Sequence, residues 1–190
     1  MDYKPRHKYS LDIFDNNDVK PSWNSVKVGW EIGCLDTNGI AKFACDYLET
    51  HPHCVNKYIS ELIFGVKEYE MENYIKNIYG SLHINYPQVE TSQWNIEWRK
   101  WRFCIMSEAC KKNLSQEELL SEIEGIYADF GYPTDMIPFI YYMPSEERDS
   151  IDHLTPDEAR RRLVDKLNQF LVEERRNIEN NCDTLPSKMY

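Results

Sequence analysis

Apolar residues along this chain recur at three- and four-residue spacing and almost never alternate. That is the pattern of helices that each bury one face. Trp23, Val26, Trp30 and Cys34 share a face in the first periodic stretch. A second stretch carries Ile40, Ala44, Tyr47 and Leu48, and a third carries Val55, Ile59, Leu62, Ile63 and Val66. A fourth shows Met71, Ile75, Ile78 and Leu82. Beyond a polar loop over 83–91, a fifth helix runs from about Ser92 to Lys112, with Trp94, Trp98, Trp101, Ile105 and Ala109 as its ridge. The sixth carries Leu119, Ile123, Ile126, Tyr127 and Phe130. A last long helix points Ala159, Leu163, Leu167, Phe170, Leu171 and Ile178 inward and frays before Asn180.

Punctuation agrees with these boundaries. Asp36 stands where an N-cap is needed, and Ser115-Gln-Glu-Glu118 and Thr155-Pro-Asp-Glu158 are capping boxes, the second with Pro at the first helical position. Gly65 closes the third stretch, and Gly131 followed by Tyr132-Pro133 stops the sixth. A short segment, 134–143, is broken by Pro138. Gly29 and Gly33 form a G-x-x-x-G read as close helix approach. The pattern predicts an all-α protein of six or seven helices in antiparallel pairs, an irregular bundle. Residues 1–21 are expected as an extended arm, 22–179 as a single helical domain and 180–190 as a tail.

Charge narrows the function classes. The chain holds 22 Lys and Arg against 32 Asp and Glu, a net charge of −10, which disfavours nucleic acid and anionic membrane surfaces as partners. No apolar run approaches a membrane span, and the opening Met-Asp-Tyr-Lys-Pro-Arg-His-Lys is no signal peptide, so a cytoplasmic protein is expected. Its six cysteines, with no C-x-x-C pair, then read as free thiols.

No catalytic motif is present, so neither catalytic residues nor a cofactor are expected, and no metal site is assigned. The densest cluster of possible ligands, His51-Pro52-His53-Cys54, reads as a polar helix corner. Asp15-Asn-Asn-Asp18 lacks the Gly and Glu of a calcium loop. The run Glu97-Trp-Arg-Lys-Trp-Arg102 mixes bases and aromatics, but helical spacing gathers its tryptophans with Ile105 and turns Arg99 and Arg102 to a solvated flank.

The anomaly is an acidic interval. Between Lys112 and Arg148 lie eight carboxylates (Glu117, Glu118, Glu122, Glu124, Asp129, Asp135, Glu146 and Glu147) and no Lys or Arg. Glu118, Glu122 and Asp129 form one stripe of the sixth helix, a row about 16 Å long, and Glu117 with Glu124 form another. Like charges four residues apart do not stabilise a helix. The same interval holds Tyr127, Phe130, Tyr132, Phe139, Tyr141, Tyr142 and Met143. Carboxylates beside aromatics suit the capture of Lys or Arg from a partner. The candidate partner-binding residues are Glu117, Glu118, Glu122, Glu124, Asp129, Asp135, Tyr132 and Tyr142.

Ile126-Tyr-Ala-Asp-Phe-Gly-Tyr-Pro133, with Met136, Phe139 and Tyr142-Met-Pro144, resembles the closing signature of a bacterial domain-of-unknown-function family, and Trp23, Gly29-Trp30 and Leu35 look like its opening. The likeness spans roughly 22–175. It implies a small, acidic, helical cytosolic protein, and some members are thought to be immunity proteins beside secreted polymorphic toxins. The leading expectation is a non-enzymatic immunity-type protein that neutralises a cognate protein toxin, or another basic protein surface, through its acidic, aromatic-rich face. The alternatives are a helical adaptor for a basic peptide or protein, and a metal-dependent hydrolase with a site of scattered residues.

Overall fold

Side chains that cap backbone N–H groups decide where most of these helices begin. The computed structural model describes Pro5, residues 7–142 and residues 154–182, and contains no strand among them. Its α-helices are α1 (Asp12–Asp15), α2 (Trp23–Glu31), α3 (Thr37–Thr50), α4 (Lys57–Ile63), α5 (Met71–Leu82), α6 (Ser92–Lys111), α7 (Gln116–Asp129) and α8 (Pro156–Cys182). Short 3-10 helices cover Glu68–Glu70 and Thr134–Phe139. The all-α expectation holds. The helix count exceeds the expected six or seven because single turns such as α1 are too short to show a period.

Chain contacts divide the molecule into two compact units, Lys4–Trp98 and a unit from Arg99 to Tyr190, with the boundary inside α6.

In the N-terminal unit, Ser22 and Ser25 cap α2 reciprocally, Asp36 accepts from Gly39 N–H at the start of α3, and Asn56 accepts from Tyr58 and Ile59 N–H at α4. α3 packs on α4, and α4 on α5. Their core is Val26, Val28, Ile40, Ala44, Ile59, Leu62, Ile75 and Ile78. The stretch expected as an extended arm contributes to it. Leu11, Phe14 and Val19 are buried, and Asn17 closes the α1 turn by donating to Ile13 O at 2.7 Å. Two other expectations change. α2 stops at Glu31, where Gly33 turns the chain at φ +71° and its missing Cβ leaves room for Pro5 at 3.1 Å. Val55 lies fully exposed ahead of α4, because Asn56 starts that helix one residue later.

In the C-terminal unit α7 and the 3-10 helix Thr134–Phe139 both pack on α8. Both predicted capping boxes are present: Ser115 with Glu118 and Thr155 with Glu158. Hydrogen bonds from the Ser115 hydroxyl and backbone hold Glu118 below the ordinary carboxylate range, and those from Thr155 backbone and hydroxyl do so for Glu158. A lowered folded-state value contributes stability that is present above the ordinary range and lost as pH falls through it. Helicity is therefore expected to be flat near neutrality and to decline below about pH 4. Circular dichroism should show a smaller decline for Glu118→Gln with Glu158→Gln, since Gln keeps the box without titrating.

The part of α6 within this unit departs most from expectation. Trp101, Ile105 and Ala109 are buried as predicted, but so are Lys100, Phe103, Cys104, Met106 and Arg102, the last fully. The solvated basic flank does not exist: Arg102 has its charge matched inside the fold. Burial pushes the Cys104 thiol up to about 12, which keeps it protonated and inert. Cys34, Cys45, Cys54, Cys104 and Cys110 are free thiols. No helix among the described residues is long and apolar enough to cross a membrane.

Candidate partner-binding surface

The acidic interval is segregated along the sequence but not in space. Its cations come from outside it. Arg102 on α6 grips Asp135 with both terminal nitrogens, Nη1 to Oδ1 and Nη2 to Oδ2, each at 2.8 Å. Its Nη2 also donates to Glu174 Oε1 on α8 at 2.9 Å, as does Arg99 Nε at 2.9 Å. Glu174 is itself buried, and the Arg102 guanidinium lies 5.0 Å from the centre of the Phe170 ring. Arg160 reaches Glu117 at 3.0 Å, and Lys112 pairs with Glu122.

These contacts sort the eight predicted residues. Asp135 is a half-exposed clamp on a buried arginine. Glu118 belongs to the α7 cap. Glu122 is tied to Lys112, and Asp129 is half-buried and engaged in an interaction of its own. The expected Glu118–Glu122–Asp129 row is thus largely committed within the fold, because a helical wheel shows direction and not neighbours. Glu117 is mostly exposed and is met by Arg160. Glu146 and Glu147, with Met143 and Pro144, lie outside the described residues.

The remaining three residues come together. Tyr132 and Tyr142 are 60% and 52% exposed, and Tyr141 between them in exposure is 59%. Glu124 sits half-buried beside them and accepts a hydrogen bond from the Tyr141 backbone N–H. Burial pushes the Glu124 carboxyl above its ordinary value, against the pull of that bond. Burial also raises the Tyr142 hydroxyl, helped by Tyr127, Glu124 and Tyr132. Tyr132 packs edge-on against buried Tyr127, with ring centres 5.2 Å apart. It projects because the chain makes two successive left-handed steps after α7, Gly131 at φ +74° and Tyr132 at φ +60°. A bulky residue is rare in that conformation, and here it swings the ring out of the helix end. Exposed rings near a partly desolvated carboxylate can grip an ammonium or guanidinium by charge and by the ring faces.

A family model described as an uncharacterised protein conserved in bacteria, DUF2247, matches residues 11–175. The chain belongs to this family. No curated protein and no solved structure matches it. The DUF2247 match begins at Leu11, the first buried residue of the α1 turn, which agrees with that turn being part of the fold.

Two elements of this DUF2247 surface escaped the sequence reading. Tyr141 belongs with Tyr132 and Tyr142, which its place one residue before Tyr142 could have suggested. Pairing of the Arg99 and Arg102 flank with the acidic interval was open to the sequence, and Arg102 makes it with Asp135, whereas the cations Lys112 and Arg160 were missed. At the His51 corner, Nδ1 lies 2.9 Å from Tyr47 O and the ring stacks on Tyr47 at 4.2 Å. Among the described residues no three His, Cys, Asp or Glu are gathered to hold a metal ion.

Proposed function

We propose that this protein is a non-enzymatic, immunity-type protein that captures a basic surface of a cognate toxin through Tyr132, Tyr141 and Tyr142 around Glu124. The observation that carries this reading is the exposure of Tyr132, Tyr141 and Tyr142 beside Glu124, a carboxylate with no cation among its named contacts. Exposed aromatics clustered in this way mark recognition surfaces, where Tyr is enriched among the residues that dominate affinity. The net charge of −10 steers such a protein toward basic partners, nuclease-like toxins among them. Rings preset by the α7 stop need little ordering on binding.

A helical adaptor for a basic peptide would use the same surface, and the size of the partner that saturates it separates the two. Among the described residues no set of ligands is gathered for the metal-hydrolase alternative.

The test is association kinetics with the protein encoded beside this one, and with a short Lys/Arg peptide. Tyr132→Asn removes a ring while suiting the left-handed backbone, and Tyr142→Ser removes a second. Together they are expected to weaken capture about 30-fold or more, corresponding to ~2 kcal/mol, without lowering the melting temperature. Glu124→Gln should weaken it too and flatten its pH dependence. In the wild type, capture should fade as pH drops through the raised Glu124 range, since the protonated carboxyl no longer attracts a cation. Unchanged affinity in all three variants would place the binding surface elsewhere. Glu118→Lys is the wrong probe, because it dismantles the α7 cap.

A further inference from the structure

The N-terminal unit holds a cleft that the tyrosine surface does not involve. It is about 640 Å³, open on one side, and lined by Glu31 at the end of α2, Glu72, Lys76, Tyr79 and Gly80 on α5, and Ile84, Tyr86 and Gln88 from the loop that follows. That volume lies within the ~300–1,000 Å³ of small-ligand sites.

Its chemistry is already displayed by one residue of the protein. Lys27 is buried, with Nζ 2.6 Å from Glu31 Oε2 and 4.6 Å from the centre of the Tyr86 ring. Carboxylate and ring together hold an ammonium there. Trp94 Nε1 donates to the same Glu31 oxygen at 2.8 Å, which fixes the carboxylate and leaves Oε1 with acceptor capacity to spare. Across the cleft, Glu72 is paired with Lys76 one turn along α5 at 2.6 Å, but both side chains are more than half exposed. Such a surface pair is worth little and exchanges partners readily. Burial, then Glu31 and Glu72, push the Tyr86 hydroxyl up to about 12, as expected if both carboxylates face it. Lys27 is buried against Glu31 and its charge also reaches Glu72, so the two carboxylates stand against two lysines until Lys76 leaves Glu72.

We propose that this cleft binds an organic cation, a primary ammonium or a guanidinium, between Glu31, Glu72 and Tyr86, with Lys76 as a placeholder that the ligand displaces from Glu72. The cation is either a free amine or a basic side chain offered by a partner. Gly80 provides the means to test this without disturbing the fold. A Cβ built there meets nothing within 4 Å, and replacing a helical glycine favours the helix.

Calorimetric and NMR titration of the full chain should use butylammonium, butylguanidinium, butyrate and a blocked Ala-Lys-Ala peptide. Saturable binding of the two cations but not of butyrate is expected. Glu72→Gln should weaken it at least fivefold. Lys76→Met should tighten it severalfold, and Gly80→Leu should abolish it with the melting temperature kept or raised. Competition by the peptide would identify a partner's lysine as the source, and binding of butylammonium without competition would identify a free amine. No saturable cation binding, equal binding of butyrate, or affinity unchanged in all three variants would overturn the proposal. None of these variants touches the tyrosine surface, so the two readings fail separately.

Discussion

Arg102→Ala is expected to destabilise the C-terminal unit by about 3–5 kcal/mol, the range seen when one partner of a buried ion pair is removed. The variant deletes three charge-assisted hydrogen bonds and the guanidinium resting on Phe170, and leaves Glu174 buried with Arg99 alone. The size follows from position: Arg102 is fully buried, so water cannot replace what is lost. Asp135→Ala is the control. Its side chain is half exposed, and Arg102 keeps Glu174, so the loss should be clearly smaller. Urea unfolding of both variants decides the matter. Equal losses would mean that the network does not hold the unit together.

Trp101→Ala should cost a similar ~3–5 kcal/mol, by cavity formation and not by charge. Trp101 is among the largest fully buried side chains, whereas Trp94 and Trp98 on the same ridge are only half-buried. Truncating those two should cost less. The ordering Trp101 over Trp98 and Trp94 in thermal unfolding distinguishes a core ridge from a base-stacking platform. On a platform the exposed rings would matter most, and for binding single-stranded nucleic acid instead of for stability.

What could be read from the sequence was local. Asp36, the Ser115 and Thr155 boxes and the Gly131 stop act on backbone within three or four residues, so a one-dimensional string contains both partners of each interaction. Most of the apolar faces of α5, α7 and α8 followed from spacing for the same reason, although Leu120 and not the expected Leu119 is buried at the start of α7. The misreadings share the opposite cause. Glu97, Arg102 and Glu174 are buried charges whose printed partners lie on other elements, so nothing in their neighbourhood says so. Arg102 and Glu174 are 72 residues apart. The acidic interval misled in the same way: three of its carboxylates are answered from outside it, by Lys112, Arg160 and Arg102. What remained was the tyrosine cluster, where consecutive aromatics after a Gly-Tyr-Pro stop had already drawn attention.

The separation of Arg102 from Glu174 also bears on how the chain can be made. Synthesis proceeds from the N-terminus at roughly 5–20 residues per second, so Arg102 leaves the ribosome several seconds before Glu174 can answer it. Until then a collapsed assembly of α6 and α7 would have to enclose a guanidinium with half its counter-charge missing, and water competes successfully for such a group. Early collapse is thereby discouraged, and Cys104 and Met106 are spared premature burial in a wrong arrangement. The C-terminal unit is therefore expected to close only when α8 arrives, with the cation inside α6 setting the timing.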